Sequence, residues 1–508
     1  MGKTPRIILT APATEMSNHY GKIFLGFGAC ISNPPFPPWF TKLLFYPEVK
    51  HVNGEAYFAP YSLRKIEASL LKSGFKEEEI ATVHPKMLEK TVTSETKVLG
   101  ISVMDPLGLG PTSLTFASIF NGETATYREF KNLMKIVKNL RFKHKGLKVV
   151  VGGPGAWQIY ETKTQDKFEI STLVLGEGEK IAPKIFWDAV NEETLPKIVF
   201  GEELDVGEIP TIKKPSVCGL VEISRGCGKN CQFCMPTLRG KRDIPIEKIV
   251  EEVKVNVKAG CPSICLHAED ALMYGSGAWN RFRPNREKVL KLFKSVLAEL
   301  KKPRFGVSHV ALSSIAADPK LVAEITELMQ VGKSKYAPLF GYQTGIETGS
   351  VRLIGRYMAG KPLPFKPEEW PEVVVQAFGI SKDYGWIPAA TLIMGLPDET
   401  PSDVIASLEL MDKLKDVPSF IIPQFFIPIT ETVLRGEKMF NVLSMRDEHW
   451  QLLNKCIEHS VRWAELLRTL YFKPDSLWLR VGYWFGYRAL YFFGWVGGKQ
   501  ASKRLGLI

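Results

Sequence analysis

The chain has 508 residues, of which 45% are hydrophobic and 24% charged, as in ordinary globular proteins. This length exceeds what one core usually supports, so two or three domains are expected. The net charge is +12, but no basic-aromatic nucleic-acid module accompanies it, so no nucleic-acid partner is predicted. Eight cysteines are too few for a disulfide framework. Because the start also carries no signal-peptide pattern, a cytoplasmic protein is expected.

The first two hundred residues alternate between apolar strands and amphipathic helices, which predicts a parallel α/β sheet wrapped by helices. The predicted strands are 6–11, 98–103, 148–151 and 172–175, and the predicted helices are 61–73 and 127–140. Ligands of such sheets bind beyond the carboxyl ends of the strands.

Glycines cluster at two of those strand ends, where backbone must turn sharply or approach a ligand. The runs are G-G-P-G from residue 152 and G-E-G-E from residue 176. The candidate ligand-binding residues are Gly152, Gly153, Gly176, Glu177 and Gly178. Glycine-rich turns are weak signals alone, so a Rossmann-like domain that binds nothing is the alternative.

Residues 26–46 combine four prolines with many apolar and aromatic side chains. The prolines predict a stretch without regular structure. Such a loop would either cover an apolar cavity or pack against a neighbouring domain.

Three cysteines, Cys227, Cys231 and Cys234, lie in the run R-G-C-G-K-N-C-Q-F-C-M with C-x3-C-x2-C spacing. Soft thiolates select iron-sulfur clusters or zinc. Three thiolates can hold three irons of a 4Fe-4S cube and leave the fourth iron open to another ligand. The alternatives are a zinc site completed by a distant histidine, and three thiols without a metal.

This run resembles the radical S-adenosylmethionine (radical SAM) superfamily, in which the x2 gap usually ends in an aromatic, here Phe233. The resemblance implies that the three cysteines ligate a 4Fe-4S cluster and that S-adenosylmethionine chelates the open iron. It places Phe233 near the adenine. One electron from an external donor would then yield methionine and a 5′-deoxyadenosyl radical, which takes hydrogen from an unactivated carbon.

The first two hundred residues resemble the cobalamin-binding domain that precedes many radical SAM domains, on the runs V-V-V-G-G-P-G and L-V-L-G-E-G-E. The resemblance implies cobalamin as a further cofactor. Relatives that supply an axial histidine carry D-x-H-x-x-G after a strand. Here the turn reads M-D-P-L-G-L-G from Met104, so any cobalamin would lack that ligand.

Residues 215–435 repeat strand then helix, which predicts a partial (β/α)6 barrel of the TIM type with its site at the strand carboxyl ends. The predicted strands are 220–224, 263–267, 307–312, 341–346, 389–394 and 421–426, and the clearest helices are 246–257 and 289–300. His309 lies on a strand expected to line the barrel and is interpreted as a core histidine.

Polar groups follow three of these strands. Glu269 and Asp270 compete for the acidic residue that, in the family, receives the amino group of S-adenosylmethionine, although its usual G-G-E motif is not matched. Glu347 lies in G-I-E-T-G-S, which resembles the G-I-E-S-G segment of cobalamin-type and methylthio-type relatives. Gly395 opens G-L-P-D-E-T, which resembles their G-L-P-x-E-T turn. Thr400 and the acid three residues later also predict a helix capping box.

Residues 436–508 predict a helix over 450–470 and then an aromatic segment over 477–496. Two arginines within that segment make a bilayer span costly. The aromatics of that segment and the five basic residues after Asp475 suit a membrane surface, which leaves a peripheral membrane location open. A buried helix that packs on the barrel is the alternative.

The predicted domains are a cobalamin-binding domain (1–205), a radical SAM barrel (215–435) and a helical carboxyl-terminal extension (436–508). The expected activity is C-methylation or carbon–carbon ring closure on an apolar substrate. The chain looks most like archaeal members, including those that form rings in isoprenoid membrane lipids. The alternatives are a C-methylase of a protein such as methyl-coenzyme M reductase, and an iron-sulfur redox or scaffold protein without radical chemistry.

Overall fold

The computed structural model describes residues 4–33, 36–236, 239–302, 305–334 and 337–471, together with 481, 482, 484 and 488. The chain divides into two compact units. Unit 1 comprises Met1–Ala117, Gly122–Val221 and Glu251–Ile264, and unit 2 comprises Ser118–Asn121, Glu222–Val250 and Cys265–Ile508.

Unit 1 is built on a six-stranded parallel sheet. The strands up to residue 201 are β1 (Ile7–Thr10), β2 (Ser32–Asn33), β3 (His51–Val52), β4 (Glu55–Ala56), β5 (Ile80–Thr82), β6 (Val98–Ser102), β7 (Glu123–Thr124), β8 (Lys148–Gly152), β9 (Thr172–Gly176) and β10 (Ile198–Gly201). The sheet order is β10-β9-β8-β6-β1-β5. The chain crosses from one side of β1 to the other between β5 and β6, so the switch point lies at the carboxyl ends of β1 and β6.

Helices cover this sheet. They are α1 (Pro38–Phe45), α2 (Tyr61–Lys72), α3 (Leu88–Thr91), α4 (Pro111–Phe120), α5 (Ala125–Lys143), α6 (Ala156–Glu161) and α7 (Ala182–Val190). The sheet core is fully buried, with Ile7, Leu9, Val98 and Phe186 in one apolar cluster. The four strands and two helices predicted here are confirmed within a few residues. The edge strands β5 and β10, of three and four residues, were not predicted.

The prediction that residues 26–46 lack regular structure is wrong. A 3-10 helix covers Ile23–Cys30, and α1 occupies Pro38–Phe45. Pro37 is the N-cap of α1 and Pro38 its first helical residue. At that position a helix loses no internal hydrogen bond by lacking an N–H, so these prolines start the helix instead of preventing it.

Strands from residue 220 onwards form short sheets, one of which is an antiparallel hairpin. They are β11 (Leu220–Glu222), β12 (Ser224–Arg225), β13 (Arg242–Asp243), β14 (Cys265–His267), β15 (Gly306–Val307), β16 (Phe340–Glu347), β17 (Trp386–Met394) and β18 (Phe420–Phe425). One sheet has the order β11-β14-β15 and another β16-β17-β18. A parallel bridge between His309 and Gln343 links β15 to β16. The six strands thus follow one another in chain order.

Helices alternate with these strands. They are α8 (Ile246–Lys258), α9 (Arg286–Ala298), α10 (Leu312–Ala317), α11 (Pro319–Leu328), α12 (Val351–Tyr357), α13 (Trp370–Asp383), α14 (Pro401–Leu414) and α15 (Asp447–Tyr471). The helices predicted at 246–257, 289–300 and 450–470 are confirmed as α8, α9 and α15. The strand predicted over 307–312 is wrong beyond residue 307, because the chain leaves the sheet after β15 and α10 begins at Leu312.

The aromatic segment predicted over 477–496 lies outside the described residues except for four positions. Among these, the Arg488 guanidinium lies 4.5 Å from the Trp484 ring centroid. Within the described part of the chain, no helix has the length and apolar character needed to cross a bilayer.

Candidate functional site

The cysteine loop of unit 2 is held by backbone hydrogen bonds. It leaves the β12–β13 hairpin, and the Cys227 N–H donates to Pro236 O over 2.9 Å. The Cys234 N–H donates to Cys231 O over 3.1 Å, and the Gln232 N–H donates to Tyr357 O over 2.9 Å. The loop therefore returns on itself and is tied to the end of α12.

The three thiols are partly or fully buried, and they interact electrostatically. Cys231 is buried, whereas Cys227 and Cys234 are half-buried. Burial raises the pKa of Cys231 to about 11, against the opposing effect of Lys361, and the Cys227 thiol raises it further. Burial also raises the pKa of Cys227. The Cys231 thiol is therefore protonated at neutral pH until a metal takes its sulfur, which couples metal binding to proton release.

Two lysines accompany the three cysteines, the buried Lys229 and the half-buried Lys361, and neither was among the residues predicted from the sequence. Lys229 donates to Ser313 Oγ over 2.9 Å, and its ammonium lies 5.7 Å from the Phe282 ring centroid. Lys361 interacts electrostatically with Cys231 and Cys234. Both cations would partly balance the negative charge of thiolates and of a bound cluster. The sequence holds one indication that a lysine lies near the thiols, which is the position of Lys229 inside the C-x3-C spacing.

Glu347, predicted to bind a cofactor, lies at the end of β16 where a bulge interrupts the pairing with β17. Its backbone has φ +63°, which is uncommon for a non-glycine residue and clusters at functional sites. The carboxylate lies 2.8 Å from Lys361 Nζ and accepts from Thr391 Oγ1 over 3.1 Å. Burial lowers the pKa of the Lys361 ammonium, but the attractions of Glu347, Cys231 and Cys234 outweigh this, so its net pKa is raised.

Glu269 and Asp270 have different environments after β14. Asp270 Oδ1 accepts the Leu272 N–H over 3.2 Å, and Oδ2 accepts the Ser314 hydroxyl over 2.5 Å, so Asp270 caps the 3-10 helix that follows. Glu269 makes no hydrogen bond to a described residue. Burial raises its pKa against the opposing effect of His267, and its charge acts on the Cys227 thiol. Of the two, Glu269 has the carboxylate that remains available.

Two histidines accompany Glu269. His267 and His309 each place Nδ1 3.0 Å from Ser308 Oγ, and their rings meet edge to face at a centroid distance of 6.0 Å. Burial lowers the pKa of both to about 4, so both rings are neutral at pH 7. His309 therefore makes polar contacts at the strand ends. Sequence reasoning did not select His267.

The G-L-P-D-E-T turn follows β17. Gly395 has φ +81°, and a Cβ there would lie 1.9 Å from the Phe440 ring, so the position requires glycine. Its N–H donates to Glu399 Oε2 over 2.7 Å, and the same oxygen contacts His449 Nε2 at 2.8 Å. The predicted capping box at the start of α14 is confirmed: the Thr400 N–H donates to Asp403 Oδ2 over 2.8 Å. Phe233, in the cysteine loop, is half-buried.

The glycine candidates of unit 1 lie at the ends of β8 and β9. Gly153 has φ +100°, and a Cβ there would lie 2.8 Å from Val103 O. A Cβ at Gly176, where φ is +81°, would lie 2.6 Å from Gly201 O. Both glycines therefore meet a packing requirement of the sheet. Gly152 and Gly178 would tolerate a Cβ at ordinary contact distances, and Glu177 Oε2 accepts the Leu204 N–H over 3.1 Å.

Polar groups also gather at the switch point of this sheet. Met104, after β6, is 63% exposed, and its N–H donates to Glu15 Oε1 over 2.9 Å. Burial raises the pKa of Glu15 to about 8, so its carboxyl is largely protonated at pH 7. Asp105 Oδ1 accepts from Gly110 N and from Gln158 Nε2, which fixes the turn. This turn contains no histidine.

Comparison with known families decides the nature of unit 2. Residues 221–411 match the family model for the Radical SAM superfamily. This segment of the chain therefore resembles a radical SAM domain. A domain of this type implies a 4Fe-4S cluster and S-adenosylmethionine, and three soft thiols on a backbone-tied loop fit the donor set of that cluster.

Several curated relatives are methylthiotransferases. The chain is 26% identical over 329 residues to a protein described as a methylthiotransferase from Methanocaldococcus jannaschii, covering 61% of this chain and 66% of that one. It is 26% identical over 227 residues to the ribosomal protein uS12 methylthiotransferase RimO of Carboxydothermus hydrogenoformans, covering 43% and 46%. The alignments therefore span at most about two thirds of these relatives.

A solved structure has a similar fold. It is the radical S-adenosylmethionine methyltransferase TsrM from Kitasatospora setae, with tryptophan substrate and an analogue of S-adenosylmethionine bound. The TM-score is 0.53 at 14% identity, and the match covers 84% of this chain and 75% of that one. The radical SAM fold is thus shared, while the identity is too low to carry a substrate across.

Proposed function

We propose that the protein is a radical SAM enzyme that functionalises an unactivated carbon, with Cys227, Cys231 and Cys234 as the cluster ligands. The observation that carries the proposal is the cysteine loop of unit 2, where three thiols lie with the buried Lys229 and the half-buried Lys361. When bound and reduced, the cluster and S-adenosylmethionine supply a 5′-deoxyadenosyl radical. The residues around the loop bind the cofactor and keep water from it.

Glu269 is the residue we assign to the amino group of S-adenosylmethionine. Its carboxylate acts on the Cys227 thiol and makes no hydrogen bond to a described residue. A cationic ligand beside the loop would supply the missing partner and would favour the ionised form of this carboxyl. Asp270 is less suited because its oxygens cap a helix and accept the Ser314 hydroxyl.

We assign Glu347 and Lys361 a different role from that of Glu269. They form a fixed ion pair, without net charge, beside the cofactor. Their 2.8 Å contact satisfies one carboxylate oxygen, and Thr391 satisfies the other. We propose that the pair orients the strand end for cofactor binding, with the Phe233 ring as the apolar contact for adenine.

We further propose that unit 1 binds cobalamin at the switch point of its sheet. The six-stranded parallel sheet and the exposed Met104 support this, as does the similar fold of TsrM, which has also been solved with cobalamin and a 4Fe-4S cluster bound (TM-score 0.50). The turn from Met104 to Gly110 offers no histidine, so the lower cobalt ligand would not come from it. When bound, cobalamin would supply the methyl group for C-methylation.

The substrate class we favour is an apolar small molecule or lipid, with an isoprenoid membrane lipid as the specific hypothesis. Exposed apolar side chains on α1 support contact with an apolar substrate, since Trp39 is 66% and Leu43 52% exposed. C-methylation and ring closure are the two reactions considered. A protein substrate is the alternative, and it predicts that deletion of residues 476–508 leaves activity intact.

Methylthio transfer is the second candidate function, and it is favoured by the names of the curated relatives. It differs from C-methylation in its product, which gains sulfur as well as a methyl group. A redox or scaffold protein would assemble the cluster and cleave no S-adenosylmethionine.

The test is anaerobic reconstitution with iron, sulfide and cobalamin, followed by reduction with S-adenosylmethionine labelled on its methyl group. We expect 5′-deoxyadenosine and S-adenosylhomocysteine, with cobalamin retained after gel filtration. Formation of 5′-deoxyadenosine alone would favour ring closure. Cys231→Ala should abolish both nucleosides, whereas Cys456→Ala, a buried cysteine of α15, should not. Equal nucleoside formation by Cys231→Ala and the native protein would refute the proposal.

A further inference from the structure

Unit 1 brings together three residues with metal-binding side chains that belong to none of the sites above. Glu48 precedes β3, His51 begins β3, and His84 follows the edge strand β5. Each offers one ligand atom, and these three atoms lie within 4.8 Å of one another. Strand β5 lies 29 to 31 residues after His51 in sequence. The fold at the sheet edge, and not proximity in sequence, therefore brings His84 close to His51.

Burial leaves this cluster with unsatisfied nitrogens. His84 is 2% exposed, and the Nε2 atoms of His51 and His84 are buried without a hydrogen-bond partner among the described residues. Buried polar atoms are nearly always paired, so two orphans in one cluster need an explanation. The imidazole rings lie 5.7 Å apart between centroids with planes at 63°, so they meet edge to face.

The charges suit a cation. Glu48 supplies a carboxylate oxygen, and His51 and His84 supply imidazole nitrogens, so the cluster has donor atoms of the kind that cations bind. Glu48 Oε1 lies 3.6 Å from His51 Nδ1. Two imidazoles and one carboxylate form a common zinc donor set.

We propose that Glu48, His51 and His84 bind a divalent cation of the zinc class, with water or a further ligand in the open position. Ligand atoms around zinc at 2.0–2.2 Å are separated by about 3.4 Å in a tetrahedral site. The ligand atoms here lie within 4.8 Å of one another, and the side chains would rotate inward to reach that separation. The ion would join the β3–β4 segment to the end of β5.

Lys86 competes with the cation. Its ammonium lies 3.1 Å from Glu48 Oε2, and its amide donates to His84 Nδ1 over 3.2 Å. A cation can take Nδ1 in place of this amide, or Nε2 after the ring proton moves to Nδ1. Either route breaks the 3.2 Å hydrogen bond between the Lys86 amide and His84 Nδ1. The Lys86 side chain is 68% exposed, so the ammonium can turn into solvent when the cation enters.

The test is zinc binding by the full-length protein with its 4Fe-4S cluster reconstituted. Zinc is titrated in competition with a chromophoric chelator, and zinc and iron are counted after gel filtration. We expect one tightly bound zinc per chain, and Glu48→Gln and His51→Gln should each weaken binding by at least about 100-fold. Lys86→Met should tighten binding by about 10-fold, because it removes a like charge.

His144→Gln, at the end of α5, is the matched control and should bind zinc as the native protein does. Iron content must remain equal in all variants, so that loss of zinc is separated from damage to the cysteine loop. His84→Asn retains a side chain able to cap the 3-10 helix that follows and serves as a third ligand variant. No tight zinc binding by the native protein, or unchanged binding in Glu48→Gln and His51→Gln, would overturn the proposal.

Discussion

Substitution of Lys361 by methionine tests the ion pair beside the cysteine loop. At 2.8 Å and an effective dielectric constant of about 20, the direct attraction between Lys361 and Glu347 is about 6 kcal/mol. Desolvation offsets much of this, and the cost of breaking a buried pair from one side is about 3–5 kcal/mol. Both side chains are less than one fifth exposed, so solvent screening reduces this value little.

The assay is amide hydrogen exchange of the cofactor-free full-length protein, followed by mass spectrometry of peptides that cover β16. A loss of about 3 kcal/mol in local opening energy accelerates exchange by more than about 100-fold. The double variant Lys361→Met/Glu347→Gln should recover at least half of this loss, because no unpaired charge remains. Lys382→Met, an exposed lysine near the end of α13, is the control and should exchange like the native protein.

The effect should also have a defined pH dependence. The folded pKa of Lys361 is raised, so its contribution is fully present below the unfolded pKa of about 10.4 and is lost only as the pH rises through the folded value. The difference between native protein and variant should therefore be constant from pH 6 to 9. Native-like exchange of β16 in Lys361→Met, or no recovery in the double variant, would contradict the ion-pair reasoning.

Two further predictions concern carboxyl groups. Glu269→Gln should weaken S-adenosylmethionine binding, measured by calorimetric titration, and leave thermal stability unchanged. Asp270→Ala should lower the free energy of unfolding by about 1–2 kcal/mol, measured in thermal melts, because the 3-10 helix loses its cap. The folded pKa of Glu15 is about 8, above its usual 4.5, so unit 1 should lose stability, by up to ~1.4 kcal/mol per pH unit, as the pH rises between these values. Glu15→Gln should flatten this slope in urea titrations; a parallel slope would count against the assignment.

Local patterns in the sequence predicted much of this structure. The three cysteines of the C-x3-C-x2-C run lie in one loop, and the capping box at Thr400 lies within four residues. Both could therefore be predicted without knowledge of tertiary contacts. The long apolar strands of both units were also found. The helix α1 was missed because prolines were counted without regard to their positions at its start.

The remaining site features depend on contacts between distant residues. Lys361 follows Cys231 by 130 residues and approaches it because α12 ends beside the cysteine loop. The difference between Glu269 and Asp270 depends on which carboxylate meets Ser314, a contact made across 44 residues. No local pattern encodes such pairings, so the sequence could name candidates at these positions but not rank them.

The link between β15 and β16 divides the six strands of the barrel into two halves. Among the described residues, the strands of the two halves are joined at one bridge, where Gln343 N donates to Ser308 O and Val310 N to Gln343 O, each over 2.9 Å. Glu269 follows a strand of the first half, and Glu347 ends a strand of the second. The spacing of the two acids is therefore governed by a narrow joint instead of a continuous ladder. A slight relative rotation of the halves would change the distance between Glu269 and Glu347 while every strand pair within each half stays intact.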